Sequence, residues 1–270
     1  MKLKRIDSLA LLAIIAASCG SAWAASGSCT NTSSGMNISS TVTGGTGTGG
    51  TGAIAASTGA GGTGAVAEDT GAGGTGIRLG VYMTETPLAG NVTVVKGTVE
   101  AKSNGHSRLL AKGDSICVGE TVMTSRLGSV QIKMVDDGLI TVRPQTQLKI
   151  EKFVYSGTDK DTSLLALLKG TYRVVTGKIG KQYPQNDVVK TPIATINARG
   201  AEHEVTVILP SDSGSYPSGT YDKVNNGTTS ISTEKGEVDI HPNQVGFAAN
   251  IGKLPTLLKE TPGFYNTILP

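Results

Sequence analysis

The sequence has few of the residues on which metal proteins and most enzymes depend. Its 270 residues include three cysteines and three histidines, and the histidines (His106, His203 and His241) are far apart. Metal centres need such ligands at short, regular spacings. The chain also has no Gly-x-Ser-x-Gly motif, no His-Glu-x-x-His motif and no phosphate loop. We therefore predict no catalytic residue, no cofactor and no metal site, and expect a protein that is not an enzyme.

Long apolar runs and an excess of one charge are also missing. Beyond residues 9–17, no apolar stretch approaches the roughly 20 residues that a membrane-spanning helix needs. The formal net charge is +3, and residues 1–24 carry +2 of it, so their removal would leave +1. The mature chain is therefore predicted to have no transmembrane helix and no nucleic-acid partner.

The N-terminus is typical of an export signal. Residues 1–24 combine an early basic group, an apolar stretch and an Ala-Trp-Ala cleavage site that ends at Ala24. Cleavage there predicts a periplasmic or secreted protein. In the alternative interpretation Cys19, which follows Ala-Ala-Ser, is a lipobox cysteine, and its acylation would supply a lipid anchor for an outer-membrane lipoprotein.

Residues 25–77 form a Gly/Thr/Ser-rich, low-complexity segment that is expected to be a flexible linker. They include no aromatic residue and no proline, and a twelve-residue repeat occupies residues 49–60 and 61–72. Such a segment buries too little apolar surface to offset about 1–2 kcal/mol of backbone entropy per ordered residue. A second interpretation of the repeat is a small stack of glycine-rich turns with one aliphatic residue per repeat in register.

Residues 78–253 have the pattern of a β domain. Val130, Ile132 and Met134 alternate with polar residues, and Asp137-Gly138 supplies a turn before Ile140. A register slip of one residue would bury the polar set, so the hairpin is well specified. Further short strands are predicted at about residues 92–101, 147–153, 171–175, 193–197, 203–209, 229–232, 237–240 and 244–248. Short strands with frequent turns predict an all-β jelly roll or sandwich of antiparallel strands.

Three segments of this part have their own expectations. Residues 162–168 (TSLLALL) fit both a helical turn and a buried strand, and the strand is favoured. Residues 211–226, rich in Ser, Gly, Pro, Tyr and Asn, are predicted to form a long exposed loop. The C-terminal tail, residues 254–270, has enough apolar side chains to dock on the domain or on a partner.

Several motifs occur in order between residues 91 and 247. They are LLAKG (109–113), a Gly-acid pair (119–120), the Asp-Gly hairpin, LLKGTYRVVTG (167–177), KTPIATINARGAEHEV (190–205) and EKGEVDI (234–240). This order resembles the FecR domain, the envelope-side domain named after the ferric citrate signalling protein. The resemblance implies an all-strand fold outside the inner membrane and a part in signalling.

The chain departs from the FecR pattern in two ways. Residues 199–203 read Arg-Gly-Ala-Glu-His where the family usually has Arg-Gly-Thr followed by an aromatic residue. The anti-sigma segment and membrane helix that precede the domain in FecR signalling proteins are replaced by the export signal and the linker.

Two residue groups could be mistaken for reactive sites. In a strand, His203 shares a face with Val205 and Val207 while Glu202 and Glu204 point the other way, so a core histidine is predicted. The pair Asp136-Asp137 is assigned to the hairpin turn because Asp-Gly is typical turn chemistry.

The cysteines leave two alternatives open. An oxidising compartment permits a disulfide between Cys29 and Cys117, and Cys117 is equally well explained as a free buried thiol.

These observations predict a non-catalytic exported envelope protein whose β domain binds a protein partner or a surface glycan. The alternative function is a soluble periplasmic signalling relay, related to FecR-type regulation of a sigma factor or receptor.

Overall fold

The structure, a computed structural model, describes residues 85–266 continuously, with side chains from residue 86 onward. Ahead of them it describes the backbone of six short strands. These are β1 (Ser28–Thr30), β2 (Ile38–Ser39), β3 (Ala55–Gly59), β4 (Gly62–Val66), β5 (Arg78–Leu79) and β6 (Val81–Tyr82). The predicted export signal, Cys19 and most of the predicted linker lie outside the described residues.

The main body consists almost entirely of strands. Its first half contains β7 (Glu85–Lys96), β8 (Val99–Ser103), β9 (His106–Leu109), β10 (Ser115–Cys117), β11 (Thr121–Thr124), β12 (Ser129–Met134), β13 (Leu139–Val142) and β14 (Gln147–Val154). Its second half contains β15 (Thr162–Val175), β16 (Asp187–Lys190), β17 (Thr195–Ile208), β18 (Gly219–Thr233), β19 (Gly236–Ile240), β20 (Val245–Ala248) and β21 (Thr256–Leu257). A five-residue helix, α1 (Lys178–Gln182), and 3₁₀ turns at Pro184–Asn186, Pro210–Asp212 and Gly263–Asn266 complete the described elements.

The predicted all-β class is confirmed. Sixteen of the described strands belong to one open mixed sheet, with β1-β7-β12-β13-β15-β16-β17-β18-β20-β21 as its longest path. The strand pairs are antiparallel except for β15 and β16, which run parallel. The buried side chains of most of these strands, from β7 to β20, form one large core cluster, so the sheet has to curl over on itself.

The hairpin predicted from alternation is formed by β12 and β13. Val130 pairs with Val142 and Ile132 pairs with Ile140, and all four side chains are buried. Asp137 has a φ of 68°, which matches the turn expected at Asp-Gly. Each buried aliphatic side chain contributes about 1.5–3 kcal/mol relative to exposure, and this cost of misplacement is what fixes the register.

Two pairs of predicted segments are single long strands. The ambiguous segment 162–168 continues through residue 175 as β15, so the strand alternative is correct. The separate strands predicted at 193–197 and 203–209 are joined in β17, with a register shift between Arg199 and His203. Gly170 and Gly200, which have positive φ angles of 86° and 65°, lie at the interruptions of the sequence pattern. A glycine in this conformation lets a strand bend without ending it.

The predicted loop at residues 211–226 was wrong over its second half. Strand β18 begins at Gly219, and Thr220, Tyr221 and Val224 are buried. This segment pairs with β17 on one side and β20 on the other, so tertiary pairing overrides its turn-rich composition.

The C-terminal segment docks on the sheet as far as residue 266. Strand β21 pairs with β20, and Tyr265 is buried in a small cluster with Tyr221 and Val245. The ring of Phe264 meets that of Tyr221 edge to face, with centroids 5.3 Å apart. The Tyr265 hydroxyl donates a hydrogen bond to the Glu204 carbonyl oxygen at 3.2 Å.

Strand pairing also occurs inside the glycine-rich segment. Strands β3 and β4, one from each repeat, pair antiparallel, and β4 also pairs with β6. Strand β1 pairs with β7 of the main body, where Thr30 is opposite Glu85. The chain thus contacts the main sheet before the glycine-rich repeats as well as after them.

Candidate functional site

The central polar site of the described body is built around β17. Extended geometry sends His203 to one side of this strand and its two glutamate neighbours to the other. Glu202 forms an ion pair with Arg173, and Glu204 forms a largely buried ion pair with Arg143. His203 is fully buried, as predicted for a core histidine.

His203 belongs to a buried chain of hydrogen bonds. Its Nδ1 lies 2.8 Å from Oδ1 of Asp222, and the Thr229 hydroxyl donates to Oδ2 of Asp222 at 2.6 Å. Burial alone would lower the pKa of His203, but the Asp222 carboxylate outweighs it and Asp187 adds to the effect, so the pKa is raised. Asp222 is therefore a charged partner that helps the histidine to hold a proton.

A second buried acid, Asp187, begins β16. Burial raises its pKa to about 6, against the opposing effects of a hydrogen bond with Ser163 and the charge of His203. The nearby Asp136 carboxylate raises the pKa further. Asp187 and His203 are thus two titratable groups of one buried region, and the pKa of each is raised.

Asp136 anchors the hairpin turn to helix α1. Its carboxylate accepts hydrogen bonds from the backbone amides of Gly138 and Ile179, at 3.0 and 3.2 Å. A Cβ at Gly177 would overlap this carboxylate, so the close approach needs glycine. The assignment of Asp136-Asp137 to the turn is correct.

Asp137 points outward from the same turn. It forms exposed ion pairs with Lys178 at 2.8 Å and Lys133 at 3.2 Å. Hydrogen bonds from Lys178 and Lys133 lower its pKa. Asp136 is therefore a buried acceptor of hydrogen bonds, whereas Asp137 forms ion pairs at the surface.

These groups surround an internal cavity. The space open to the centre of a water molecule is about 20 Å³. Its polar lining comprises Asp136, Ser163, Tyr172, Thr176, Asp187 and His203. Apolar side chains of β12, β13, β14, β15 and β16, together with Gly138 and Gly177, complete it. Every lining residue is buried, so the arrangement is suited to holding protons and hydrogen bonds inside the fold.

The sequence reasoning missed two members of this site. Asp222 was assigned to a loop, and Asp187 stood in a segment with no assigned role. The threonine, tyrosine and valine of Thr220-Tyr221-Asp222-Lys223-Val224 are a weak strand signal, since these residue types are enriched in strands. Nothing local marks Asp222 as the partner of His203, because the two are brought together by the β17–β18 pairing.

Cys117 is disulfide-bonded rather than free. It lies on β10, where it pairs with Leu88 of β7, and Cys29 lies on β1, where it pairs with Thr86 of the same strand. The two cysteines therefore lie opposite β7 residues that are two positions apart, Thr86 and Leu88.

The two most exposed large hydrophobic side chains of residues 86–266 lie near the start of β8. Leu109 is 69% exposed and pairs with Glu100, and Leu127 is 83% exposed on the turn after β11. That turn is tied to the same place because the Ser125 amide donates to the Thr98 carbonyl at 3.0 Å. We call Leu109 and Leu127 the exposed leucine pair.

Comparison with known proteins finds distant likenesses only. No protein-family model matches the chain, and no curated protein matches it. Two crystal structures of a candidate anti-sigma factor from Parabacteroides distasonis ATCC 8503 align with 12% identity and a TM-score of 0.40. The alignment covers 54% of this chain and 62% of the other.

A structure described as a cell surface anchoring domain aligns with 38% identity over 22% of this chain and 80% of its own, with a TM-score of 0.22. These likenesses are too distant to assign a function. Among the described residues, no helix is both long and apolar enough to span a membrane.

Proposed function

We propose that the protein is an exported, non-catalytic envelope protein whose β domain binds another protein or a surface glycan. The main support for this proposal is the pairing of the side chains of Glu202, His203 and Glu204. Each of these side chains is committed to a structural partner, namely Arg173, Asp222 and Arg143. The residues with the most catalytic appearance are thus used to hold strands together.

A protein partner is favoured over a glycan by the surface of the domain. Sugar rings commonly stack on exposed aromatic side chains, and in residues 86–266 every tyrosine and phenylalanine is buried or partly buried. The exposed leucine pair offers apolar contact area at the surface of the sheet. Burial of such side chains is a common source of binding energy between proteins.

Photo-crosslinking in intact cells tests this binding role. A photoreactive amino acid at Leu127 should yield one reproducible crosslinked protein, and the double variant Leu109→Ser/Leu127→Ser should reduce the yield of that complex at least tenfold. The double variant Ile251→Ser/Leu254→Ser, which changes two other half-exposed apolar residues, is the matched control. Equal yields from both double variants would exclude the exposed leucine pair as the contact.

Signalling is the second candidate function, and it is supported by the FecR-like order of motifs between residues 91 and 247. In that case, deletion of the gene should alter transcription that depends on an envelope-responsive sigma factor. The wild-type gene should restore it. An unchanged transcript profile under conditions that induce the gene would argue against a relay.

We also infer that Cys29 is the disulfide partner of Cys117. The pairing of β1 and β10 with neighbouring positions of β7 supports it. Thr30 is opposite Glu85, so residues 31–84 leave and rejoin the main body at adjacent positions. The disulfide would then close a covalent loop of the chain that includes the glycine-rich segment, where its composition predicts a linear tether.

Peptide mapping without reduction tests the assignment. A linked pair of peptides that contain Cys29 and Cys117 is the expected product, and reduction should separate them. A Cys19–Cys117 link or a free Cys117 thiol would contradict the closed loop.

Export to the periplasm or beyond remains a proposal that rests on residues 1–24. The mass of the purified N-terminus should correspond to a free Ala25. An acylated Cys19 would instead establish the lipoprotein alternative, with only residues 20–27 between the lipid and β1.

A further inference from the structure

Three residues that line the internal cavity each have a buried polar atom without a hydrogen-bond partner from the protein. These atoms are the Tyr172 hydroxyl, the Thr176 hydroxyl and Nε2 of His203. All three residues line the same cavity, and each is less than 3% exposed. A buried polar group that lacks a partner costs about 1–3 kcal/mol, so three such groups around one space call for a common partner.

The dimensions of the cavity identify the class of that partner. A site needs at least about 10–15 Å³ open to the centre of a water molecule to hold one, and two to four polar groups to bind it. The cavity provides about 20 Å³ and the three atoms named above. A larger organic ligand would not fit.

We propose that the cavity is a binding site for one internal water molecule, held by Tyr172, Thr176 and His203. Tyrosine and threonine hydroxyls both donate and accept hydrogen bonds, as water does, so all three contacts can form at once. The water satisfies the side of the histidine ring opposite Asp222.

The water also adapts the site to both protonation states of His203. When the ring is neutral and donates from Nδ1 to Asp222, Nε2 accepts a hydrogen bond from the water. When the ring is protonated, Nε2 donates to the water instead. A fixed donor or acceptor side chain could serve only one of these states.

Several acidic groups near the cavity influence the protonation of His203. Asp222 of β18 faces the ring directly, and Asp187 of β16 also raises the pKa of His203. Asp136 of the hairpin turn raises the pKa of Asp187. Tyr172 of β15 also borders the cavity, and burial keeps its pKa well above the usual value, so it remains a neutral donor. Protonation of His203 can therefore change without repacking of the surrounding strands.

Substitution of a cavity hydroxyl distinguishes a hydrated site from a dry one by the sign of its effect. In a hydrated cavity, Thr176→Val leaves the water short of a partner and should lower the Tm by about 2–6 °C. In a dry cavity the same change removes an unsatisfied hydroxyl and should raise the Tm. Ser230→Ala is the control, because the Ser230 hydroxyl is also buried without a protein partner but Ser230 does not line the cavity.

A crystal structure of the mature chain at high resolution provides the direct measurement. The expected result is one density peak within 2.6–3.2 Å of Tyr172 Oη, Thr176 Oγ1 and His203 Nε2, refining as water. An absent peak would overturn the proposal, as would a metal ion identified by anomalous scattering. A higher Tm for Thr176→Val than for the wild type would also overturn it, and this measurement needs no crystals.

Discussion

At the scale of single residues, the same side-chain types have different roles according to burial. Asp136 and Asp137 are adjacent in the chain, yet one anchors helix α1 from inside and the other forms exposed ion pairs with lysines. His203 and Glu204 are likewise neighbours that serve different partners. The charge on a residue therefore says less about its role than the side of the strand or turn on which it lies.

The buried His203–Asp222 pair should be much more sensitive to truncation than an exposed pair. Asp222→Ala removes the partner of a buried histidine and of the Thr229 hydroxyl, so we expect it to lower the free energy of unfolding by about 3–5 kcal/mol. Glu202→Ala, which breaks the more exposed pair with Arg173, should cost less than about 1 kcal/mol. Urea unfolding at pH 6 measures both. Similar losses for the two variants would contradict the special role of the buried pair.

The two buried titratable groups predict that stability declines as the pH rises. The folded state raises the pKa of Asp187 from 3.8 to about 6 and also raises that of His203, so both groups release protons on unfolding. The free energy of unfolding should therefore fall between about pH 4 and 6 because of Asp187, and fall again above 6.5 because of His203.

Urea unfolding of the wild type and Asp187→Asn between pH 4 and 8 separates the two contributions. The variant should lose the decline between pH 4 and 6 and keep the decline above 6.5. Parallel profiles over the whole range would show that Asp187 does not titrate as expected.

At the scale of elements, glycines with positive φ hold the long strands in one piece. Gly170 lies within the fourteen residues of β15, close to Thr146, and Gly200 lies within β17. The sequence pattern breaks at both positions, which is why two shorter strands were predicted in each case. The backbone continues through them because glycine tolerates the bend.

Gly170→Ala should be more destabilising than Gly113→Ala. Both positions have positive φ, 86° and 96°, so an alanine costs about 1–2 kcal/mol of backbone strain at either one. A Cβ at Gly170 would also overlap Thr146, whereas nothing lies within 4 Å of a Cβ at Gly113. The steric term should add about 1–3 kcal/mol at Gly170, measurable by urea unfolding. Equal effects would mean that Thr146 moves aside without cost.

At the scale of the whole molecule, the β1–β7 pairing changes the meaning of the glycine-rich segment. The chain contacts the sheet at Thr30 and again at Glu85, where these two residues are paired. A disulfide near this junction would join residues that are far apart in sequence, and such cross-links stabilise chiefly by restricting the unfolded chain.

Matched cysteine variants test this cross-link as a property of the whole fold. Cys29→Ser and Cys117→Ser should lower the free energy of unfolding by similar amounts, roughly 2–5 kcal/mol, and the double variant should cost no more than either. Cys19→Ser should have no effect on the folded body. A loss from Cys117→Ser alone would exclude Cys29 as its partner.

The sequence by itself was sufficient for the local features of this protein. Alternation with period two specified the strands, and Asp-Gly specified the hairpin turn, because both depend on neighbours a few residues apart. The same alternation placed His203 on a buried face and divided it from Glu202 and Glu204.

The tertiary structure decided what depends on distant pairing. Asp222 became the partner of His203, and residues 219–226 became a strand, because β17 and β20 enclose β18. The cavity, with its three unpartnered buried polar atoms, arises where β12, β13, β14, β15, β16 and β17 meet. Such features depend on how separate strands align across the sheet, and periodicity within one segment contains no information about which segment will lie beside it.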